Sequence, residues 1–447
     1  MSGGVGYAQR HLEHSDYYDE HRRVQGEWQG RGAELLRLSG DVTREQFEAV
    51  REGLHPETGE YLRPRHSADR VSVDGTEQSK ARSLYDLTFS APKSVSIQAM
   101  VAGDERLIAA HDEAVRSTLA EAESHAATRV RLNGVNEDRM TVNWIVATYR
   151  HDTSRELDPQ LHTHAVAANL TYDGVEGRWK ALQASGLYER RAYLTEVYRN
   201  ALAHEVRSLG YEIETHRDSR GRDLGFEIRG VSDDLQERYS QRSAQRDLAI
   251  DEFIKQNGRR PTDNEVAVLV RETRADKLAE ISTEQVRQQQ QARLSPEEQR
   301  SLERLQHNSL EHKQNVPHEI SRAHDSLQYA KDHLFERSSV VYYHELLTEA
   351  LRHGRGQINL GQLRGLLQVE QSQGMVALID KNIDQYPRLG GTHEFHTGEH
   401  LRDEQNAQFR RFLVHAILPS TCVVQPEPAK QPHFRKLIAG FAKPGAM

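Results

Sequence analysis

The sequence contains a single cysteine, Cys422, in 447 residues. One thiol can form neither an intramolecular disulfide nor a thiolate zinc site, so both are excluded as the framework of the fold. The chain also lacks a signal peptide pattern and an apolar run long enough to span a bilayer. Because sparse cysteine is typical of a reducing compartment, we expect a cytoplasmic protein without membrane insertion.

Two further absences concern nucleotides and nucleic acids. No Gly-Lys-Ser or Gly-Lys-Thr phosphate loop occurs, so the sequence offers no evident site for nucleotide hydrolysis. The formal net charge is -8, which argues against a protein that coats nucleic acid through bulk electrostatic attraction. A local basic groove remains compatible with that charge.

The length exceeds that of a usual single domain. Strand-like and helical stretches alternate in the first half of the chain, whereas few apolar residues occur between about 278 and 330. These patterns predict an α/β domain over residues 1–290, a helical linker over 291–331, a further globular segment over 332–420 and a disordered tail over 421–447. The glutamine run near the end of the first domain is predicted to be helix surface or linker.

Local patterns predict several elements around the middle of the first domain. Residues 84–90 are typical of a strand, and Ser90 is predicted to be the N-cap of the next helix, with Pro92 in its first turn. Residues 104–130 are rich in alanine and glutamate and predict one long helix. Residues 141–149 form the next apolar strand.

Three histidines lie around two neighbouring strand-like stretches. His162 and His164 alternate within a predicted strand, so their side chains share a face. His151 follows the apolar residues 141–149, and the polar residues 151–159 resemble a hairpin loop. A hairpin would gather three imidazoles with open positions, as a catalytic metal site requires. With 24 histidines a His-x-His pair is common by chance, so satisfied or surface histidines are the alternative.

Three ordered motifs carry a resemblance to a known family. They are Gly26-Glu-Trp-Gln-Gly-Arg-Gly-Ala33, Asp86-Leu-Thr-Phe-Ser-Ala-Pro-Lys-Ser-Val-Ser96 and His151-Asp-Thr-Ser-Arg-Glu-Leu-Asp-Pro-Gln-Leu-His-Thr-His-Ala-Val166. Together they closely resemble the relaxase domain of conjugative relaxases of the TrwC/TraI (MobF) type, over residues 1 to about 290. Residues 332–400 look like the segment that follows the relaxase in that family and leads into a helicase, whose motor is missing here.

The resemblance implies a fold and a reaction. The fold would be an antiparallel five-stranded HUH relaxase sheet flanked by helices, with a mostly helical C-terminal extension. The reaction would be nicking and rejoining of one DNA strand at an origin of transfer, through a covalent 5′-phosphotyrosine. A phenol is a poor nucleophile at neutral pH, so the reaction needs a base or a cation beside the tyrosine.

The family's functional residues match particular positions of this chain. His151, His162 and His164 match the metal ligands, and Asp86 matches an acidic residue that accepts the tyrosine proton or orients a histidine. Pairing with Arg82 at the strand edge is the alternative for Asp86. The tyrosine nucleophiles are matched by Tyr7, for the first cut, and by the pair formed by Tyr17 and Tyr18, for the second transfer.

The expected cofactor is a divalent ion, Mg²⁺ or Mn²⁺, with Zn²⁺ as the alternative that three imidazoles also suit. Arg82, Lys93, Arg190 and Arg191 are the predicted DNA contacts, and Lys93 lies in the first turn of a helix whose N-terminus favours phosphate. Solvated surface cations are the alternative. The partners implied are single-stranded or hairpin origin-of-transfer DNA, relaxosome accessory proteins and the type IV secretion coupling protein.

Two alternatives to the enzyme remain open. The family normally begins with a strand before its first helix, and Met1-Ser-Gly-Gly offers none. Together with the missing helicase, this favours as an alternative a truncated, non-catalytic remnant that binds single-stranded or hairpin DNA. A metal hydrolase that uses water is the other alternative, but no spare general base stands beside the three histidines in sequence.

Overall fold

The computed structural model describes residues 26–63, 70–71, 77–79, 83–154, 156–218, 220–262, 265–266, 268–269, 283–312, 320–338, 340–374, 376–378 and 422–425. The strands are β1 (Glu27–Gln29), β2 (Arg70–Val71), β3 (Glu77–Ser79), β4 (Leu84–Ser90), β5 (Ala127–Leu132), β6 (Val135–Met140), β7 (Val146–Thr153), β8 (Pro159–Ala168), β9 (Thr171–Asp173), β10 (Arg178–Lys180), β11 (Leu182–Gln183), β12 (Ile213–Arg217), β13 (Asp223–Ile228), β14 (Val340–Tyr342), β15 (Val376–Leu378) and β16 (Cys422–Gln425). The helices are α1 (Arg31–Leu35), α2 (Arg44–Glu52), α3 (Lys93–Met100), α4 (Arg106–Glu123), α5 (Ser185–Glu189), α6 (Arg191–Ser208), α7 (Asp233–Arg238), α8 (Gln241–Asn257), α9 (Thr283–Gln291), α10 (Pro296–Glu311), α11 (Ile320–Phe335), α12 (Tyr343–His353) and α13 (Leu360–Ser372).

The central sheet is antiparallel and has the strand order β1-β7-β8-β4. The α/β class with an antiparallel sheet flanked by helices is thereby confirmed. Against the five strands expected for this sheet, four lie in the part of the chain that the structure describes. None of the helices in that part is long and apolar enough to cross a membrane.

Side-chain alternation along β8 gives the sheet two different faces. Leu161 and Ala165 are fully buried and belong to the larger apolar cluster, which includes side chains of α3, α4 and α6. Val166 belongs to a smaller cluster on the other face, together with Trp28 and Phe47. Burying a large aliphatic side chain stabilises a fold by about 2 kcal/mol. The two clusters therefore hold β8 between them, and even-numbered residues near its start share the face of the smaller cluster.

A glycine in the first turn of α1 allows a close approach to the sheet. A Cβ atom on Gly32 would lie 2.5 Å from the carbonyl oxygen of Trp144, so only glycine fits there. The adjacent amide of Arg31 donates to the Glu123 carboxylate at 2.6 Å, at the end of α4. This contact joins β1 and α1 to the helix on the opposite face of the sheet.

The histidine hairpin differs from its predicted form at both ends. β7 begins at Val146 and runs to Thr153, so the connection to β8 is residues 154–158. His151 therefore lies inside a paired strand, directly opposite His162, with a register shift between His151 and Thr153. The polar composition after residue 150 indicated a loop, but main-chain pairing with β8 continues through it because the ladder does not depend on side-chain polarity.

Two helix boundaries were also predicted wrongly. The helix predicted over residues 104–130 ends at Glu123, and the alternating residues that follow form β5. Pro92, not Ser90, is the N-cap of α3, because Ser90 still pairs with His162 in the ladder between β4 and β8.

The C-terminal helices share their core with the sheet. Leu302, Leu327, Leu346 and Leu363 lie in the same buried cluster as Leu161 of β8. The predicted division of the chain at residues 290, 331 and 420 stays a prediction. A short row of inward-facing apolar residues on each helix, such as Leu346, Leu347 and Leu351 of α12, joins these helices to the core.

A buried ion pair reinforces this packing. Nη2 of Arg355 lies 2.8 Å from Glu196 of α6 and 2.9 Å from Asp223 of β13. Nη1 of the same guanidinium donates to the carbonyl of Gly225 at 2.8 Å. The side chains of Arg355 and Glu196 are only 6% and 2% exposed. Loss of either partner would therefore leave a buried charge with neither a counter-charge nor solvent around it.

We predict that Arg355→Ala lowers the free energy of unfolding by about 3 kcal/mol, because Glu196 and Asp223 lose their buried counter-charge. Urea denaturation followed by circular dichroism measures the change. Arg116→Ala is the control, since Arg116 forms an exposed ion pair with Glu113 and should change stability by less than about 0.5 kcal/mol. Equal effects of the two substitutions would contradict the prediction.

Candidate metal centre

Three histidine rings meet at one end of the sheet. The ring centroid of His162 lies 5.1 Å from that of His151 and 5.3 Å from that of His164, and the third distance is 5.4 Å. The cause is the register: His151 pairs with His162 across the strands, and His164 is two residues further along β8 on the same face. The predicted convergence of these side chains is therefore present.

The neighbouring strand supplies a carboxylate to this cluster. Nδ1 of His164 lies 3.0 Å from both carboxylate oxygens of Asp86 on β4. Thr88 pairs with His164 in the ladder, and its hydroxyl lies 3.3 Å from the same nitrogen. A carboxylate bound to Nδ1–H leaves Nε2 with its lone pair, which is the arrangement seen behind metal-binding histidines.

A backbone carbonyl fixes the tautomer of His162 in the same way. Its Nδ1 lies 2.9 Å from the carbonyl oxygen of Gln160, which can only accept, so the proton is on Nδ1. Burial lowers the pKa of His162, and the nearby His164 lowers it further. The imidazole is thereby favoured in its neutral form, the form that binds metals.

The donor chemistry of these residues fits a divalent ion, since two of the three imidazoles direct their protons away and keep Nε2 for a ligand bond. Within the described ranges, however, no three His, Cys, Asp or Glu side chains are arranged as a ready metal shell. The site is thus a cluster of rings in mutual contact, with the Asp86 side chain still 34% exposed beside it.

The opposite face of β8 holds a polar contact that the sequence did not reveal. His111 of α4 is completely buried, with Nε2 2.8 Å from the hydroxyl of Thr163 and Nδ1 2.8 Å from that of Tyr198. Thr163 lies between His162 and His164 in the sequence. Alternation could have assigned Thr163 to the core face, but nothing local indicates its partner.

The predicted DNA contacts lie in different places. Nζ of Lys93 donates to the carbonyl of Pro159 at 3.0 Å, at the start of β8, and burial lowers its pKa. Arg190 donates to the carbonyl of Gly186 and lies near His125, toward the end of α4. Arg191 is exposed and stands over the ring of Tyr188. His125 follows the end of α4, and that end lies about 18 Å along the helix from His111, so Arg190 is remote from the part of β8 that His111 contacts.

Four predicted site residues, Tyr7, Tyr17, Tyr18 and Arg82, lie outside the described residues. The structure therefore brings together His151, His162, His164 and Asp86.

The family model for the TrwC relaxase matches residues 1–296. This chain belongs to the TrwC relaxase family. The resemblance carried by the sequence motifs is thereby confirmed.

Curated relatives and solved structures agree with this membership. The multifunctional conjugation protein TraI of Escherichia coli K12 is 41% identical over 196 residues, which cover 42% of this chain and 10% of that protein. The chain thus matches about a tenth of the length of this relative. A second TraI from Escherichia coli is 42% identical over the same length, with the same shares.

Solved structures of the conjugative relaxase TrwC are also similar. A metal-bound complex with oriT DNA has a TM-score of 0.54 and 36% identity, and the match covers 68% of this chain and 96% of that one. A complex with a 27-mer DNA that comprises the recognition hairpin and the cleavage site has a TM-score of 0.52 and 37% identity, with 63% and 91% coverage.

The buried histidine behind the site should make stability depend on pH. Burial lowers the pKa of His111 to about 3, so between that value and about 6.5 only the unfolded chain binds the proton. Stability is fully present above about 6.5 and falls as the pH drops. We predict that between about pH 7.5 and pH 5 the parent protein loses about 2 kcal/mol more of its free energy of unfolding than His111→Gln does.

Urea unfolding of both proteins at the two pH values measures this difference. The half-buried histidines whose pKa is also lowered, such as His125 and His344, are present in both proteins, so their contribution cancels. An identical loss in the variant and the parent would show that His111 is not the responsible group.

Proposed function

We propose that this protein nicks and rejoins one strand of DNA at an origin of transfer. The observation that carries the proposal is the cluster of His151, His162 and His164, with Asp86 bonded to His164, in a chain of the TrwC relaxase family. The TrwC complexes with oriT DNA support the same class of substrate here, single-stranded or hairpin origin DNA.

The reaction is a transesterification at phosphorus. A tyrosine oxygen forms a bond to phosphorus, the bond to the 3′ oxygen breaks, and the 3′ oxygen leaves with a proton. A divalent ion held by His151, His162 and His164 would supply positive charge to the non-bridging phosphate oxygens. Religation is the reverse attack by a 3′ hydroxyl, so no ATP is required.

Asp86 acts in this proposal through His164. Its carboxylate accepts a hydrogen bond from Nδ1–H, which fixes the orientation of the ring and leaves the lone pair of Nε2 for a ligand bond. An exposed edge of the same carboxylate could also take the proton of the phenol, which is the family's alternative role for this residue.

The pairing of β1 makes the early tyrosines plausible nucleophiles. Glu27 pairs antiparallel with Thr148, so the N-terminal end of β1 is the end directed toward His151, about 10 Å further along β7. Tyr17 and Tyr18 precede Glu27 by ten and nine residues, an extended reach of about 30 Å. Tyr7 has a longer tether. We assign the first cut to Tyr7 and the second transfer to Tyr17 and Tyr18.

The remaining assignments concern charge and partners. Lys93, Arg82, Arg190 and Arg191 are proposed to contact the DNA backbone, and Lys93 is bound to the start of β8 through the carbonyl of Pro159. By family membership, relaxosome accessory proteins and the type IV secretion coupling protein are the proposed protein partners. Mg²⁺ or Mn²⁺ is the proposed ion, and Zn²⁺ the alternative.

Incubation with single-stranded origin DNA and Mn²⁺ should give a covalent protein–DNA adduct, visible as a mobility shift in denaturing gels. Tyr7→Phe is expected to lower formation of the first adduct at least about 100-fold, because no phenol oxygen remains to attack. The double variant Tyr17→Phe/Tyr18→Phe should keep the first adduct and lose the second transfer.

The outcomes separate the candidate functions. DNA binding without an adduct under Mg²⁺, Mn²⁺ or Zn²⁺ would favour the non-catalytic, hairpin-binding remnant. Cleavage that yields a free 5′ phosphate and no adduct would favour a water-using metal hydrolase. Either result would reject the transferase proposal.

Removal of the carboxylate behind His164 tests the metal site separately. Asp86→Ala should weaken Mn²⁺ binding by about 10- to 100-fold, because His164 loses the partner that fixes its ring. Isothermal titration calorimetry measures the affinity. Asp112→Ala is the control, since Asp112 pairs with Arg150, whose side chain alternates with that of His151 and so lies on the other face of β7. Unchanged affinity in Asp86→Ala would remove Asp86 from the metal site.

A further inference from the structure

The loop between β7 and β8 is held by a buried carboxylate. Asp158, the last loop residue, is 1% exposed. Its Oδ2 accepts the backbone amide of Gln241 at 2.8 Å, at the start of α8. Its Oδ1 accepts Nε2 of Gln241 at 2.9 Å and Nη1 of Arg293 at 2.8 Å. One side chain of the loop is therefore tied to two elements outside the central sheet.

The backbone on either side of Asp158 is held as well. The carbonyl of Leu157 accepts Nε2 of Gln290 at 2.7 Å, and that of Pro159 accepts Nζ of Lys93 at 3.0 Å. Leu157 has a φ of 58°, in the left-handed region that a branched side chain rarely adopts. A conformation of this kind persists only where its surroundings impose it, and these hydrogen bonds do so.

The groups that hold the loop are themselves braced. Gln290 is only 2% exposed, and its carbonyl accepts the hydroxyl of Tyr239 at 2.5 Å. The guanidinium of Arg293 stands over the ring of Tyr239 at 4.4 Å. Gln290 belongs to the glutamine run that the sequence predicted as helix surface or linker. One member of that run faces inward, so the prediction is wrong for Gln290.

The loop closes the hairpin that carries the histidines. The amide of Ser154 donates to the carbonyl of Asp158 at 2.9 Å, and Thr153 pairs with Pro159. The next pair along the ladder is His151 with His162, across the register shift. A change in the position of Asp158 would therefore shift the start of β8 relative to β7, and with it the alignment of His162 with His151.

We propose that Asp158, held by Gln241 and Arg293, is a positioning residue for the metal centre. It fixes the point at which β8 begins and thereby the alignment of His162 with His151. This inference rests on the proposed metal-dependent function, but the order of the hairpin can be measured without any metal.

The test compares Asp158→Asn with Asp104→Asn in the full chain. The amide keeps the size of the carboxylate but loses the charge that binds Arg293. Asp104 is a matched control, because it is 2% exposed and bound by Arg106 and Tyr211, outside the hairpin. Hydrogen–deuterium exchange with mass spectrometry should show about tenfold faster exchange in residues 151–164 of Asp158→Asn alone.

The second measurement is the affinity for Mn²⁺, which should fall about tenfold in Asp158→Asn and stay unchanged in Asp104→Asn. The inference would be overturned if residues 151–164 of Asp158→Asn exchanged at the wild-type rate, or if exchange in this variant became faster evenly over the whole chain. If the parent protein binds no Mn²⁺, the proposed metal site fails, while the exchange data still decide whether Asp158 orders the hairpin.

Discussion

The pairing of β7 with β8 is the interaction on which the site depends. It places His151 opposite His162 and leaves His164 two residues along on the same face. A slip of one residue would turn the imidazoles toward the core face that Leu161 and Ala165 now fill. Burying an unsatisfied polar ring there would cost about 1–3 kcal/mol, so the apolar core helps to define the register of the polar site.

Much of the site could be predicted from the sequence because its signals are local. Alternation of period two places His162 and His164 together, and a hairpin brings His151 to them. The resemblance added Asp86, whose hydrogen bond to His164 crosses to another strand. The ends of β7 could not be predicted, because residues 151–153 are polar and their strand conformation comes from pairing with β8.

The contacts that the sequence could not reveal are distant along the chain. Glu196 and Arg355 are 159 residues apart, and each belongs to a helical or turn segment with polar neighbours. His111 meets Thr163 across 52 residues. Composition between residues 278 and 330 suggested a linker, yet Leu302, Ala323, Leu327 and Ala330 lie in the common core. Average hydrophobicity therefore underestimates how firmly a polar helix is attached.

The two faces of the sheet have a consequence for how this chain can diverge. The histidine rings stand on one face, whereas the C-terminal helices join the core on the other face, through contacts such as those of Arg355 and Leu346. Paired substitutions between these helices and α6 can be compensated locally, without altering the atoms around the rings. Substitutions at the interface of α11, α12 and α13 with α6 can therefore differ among relatives that keep the histidine hairpin, provided that Gln290 and Arg293, which hold its loop, are retained.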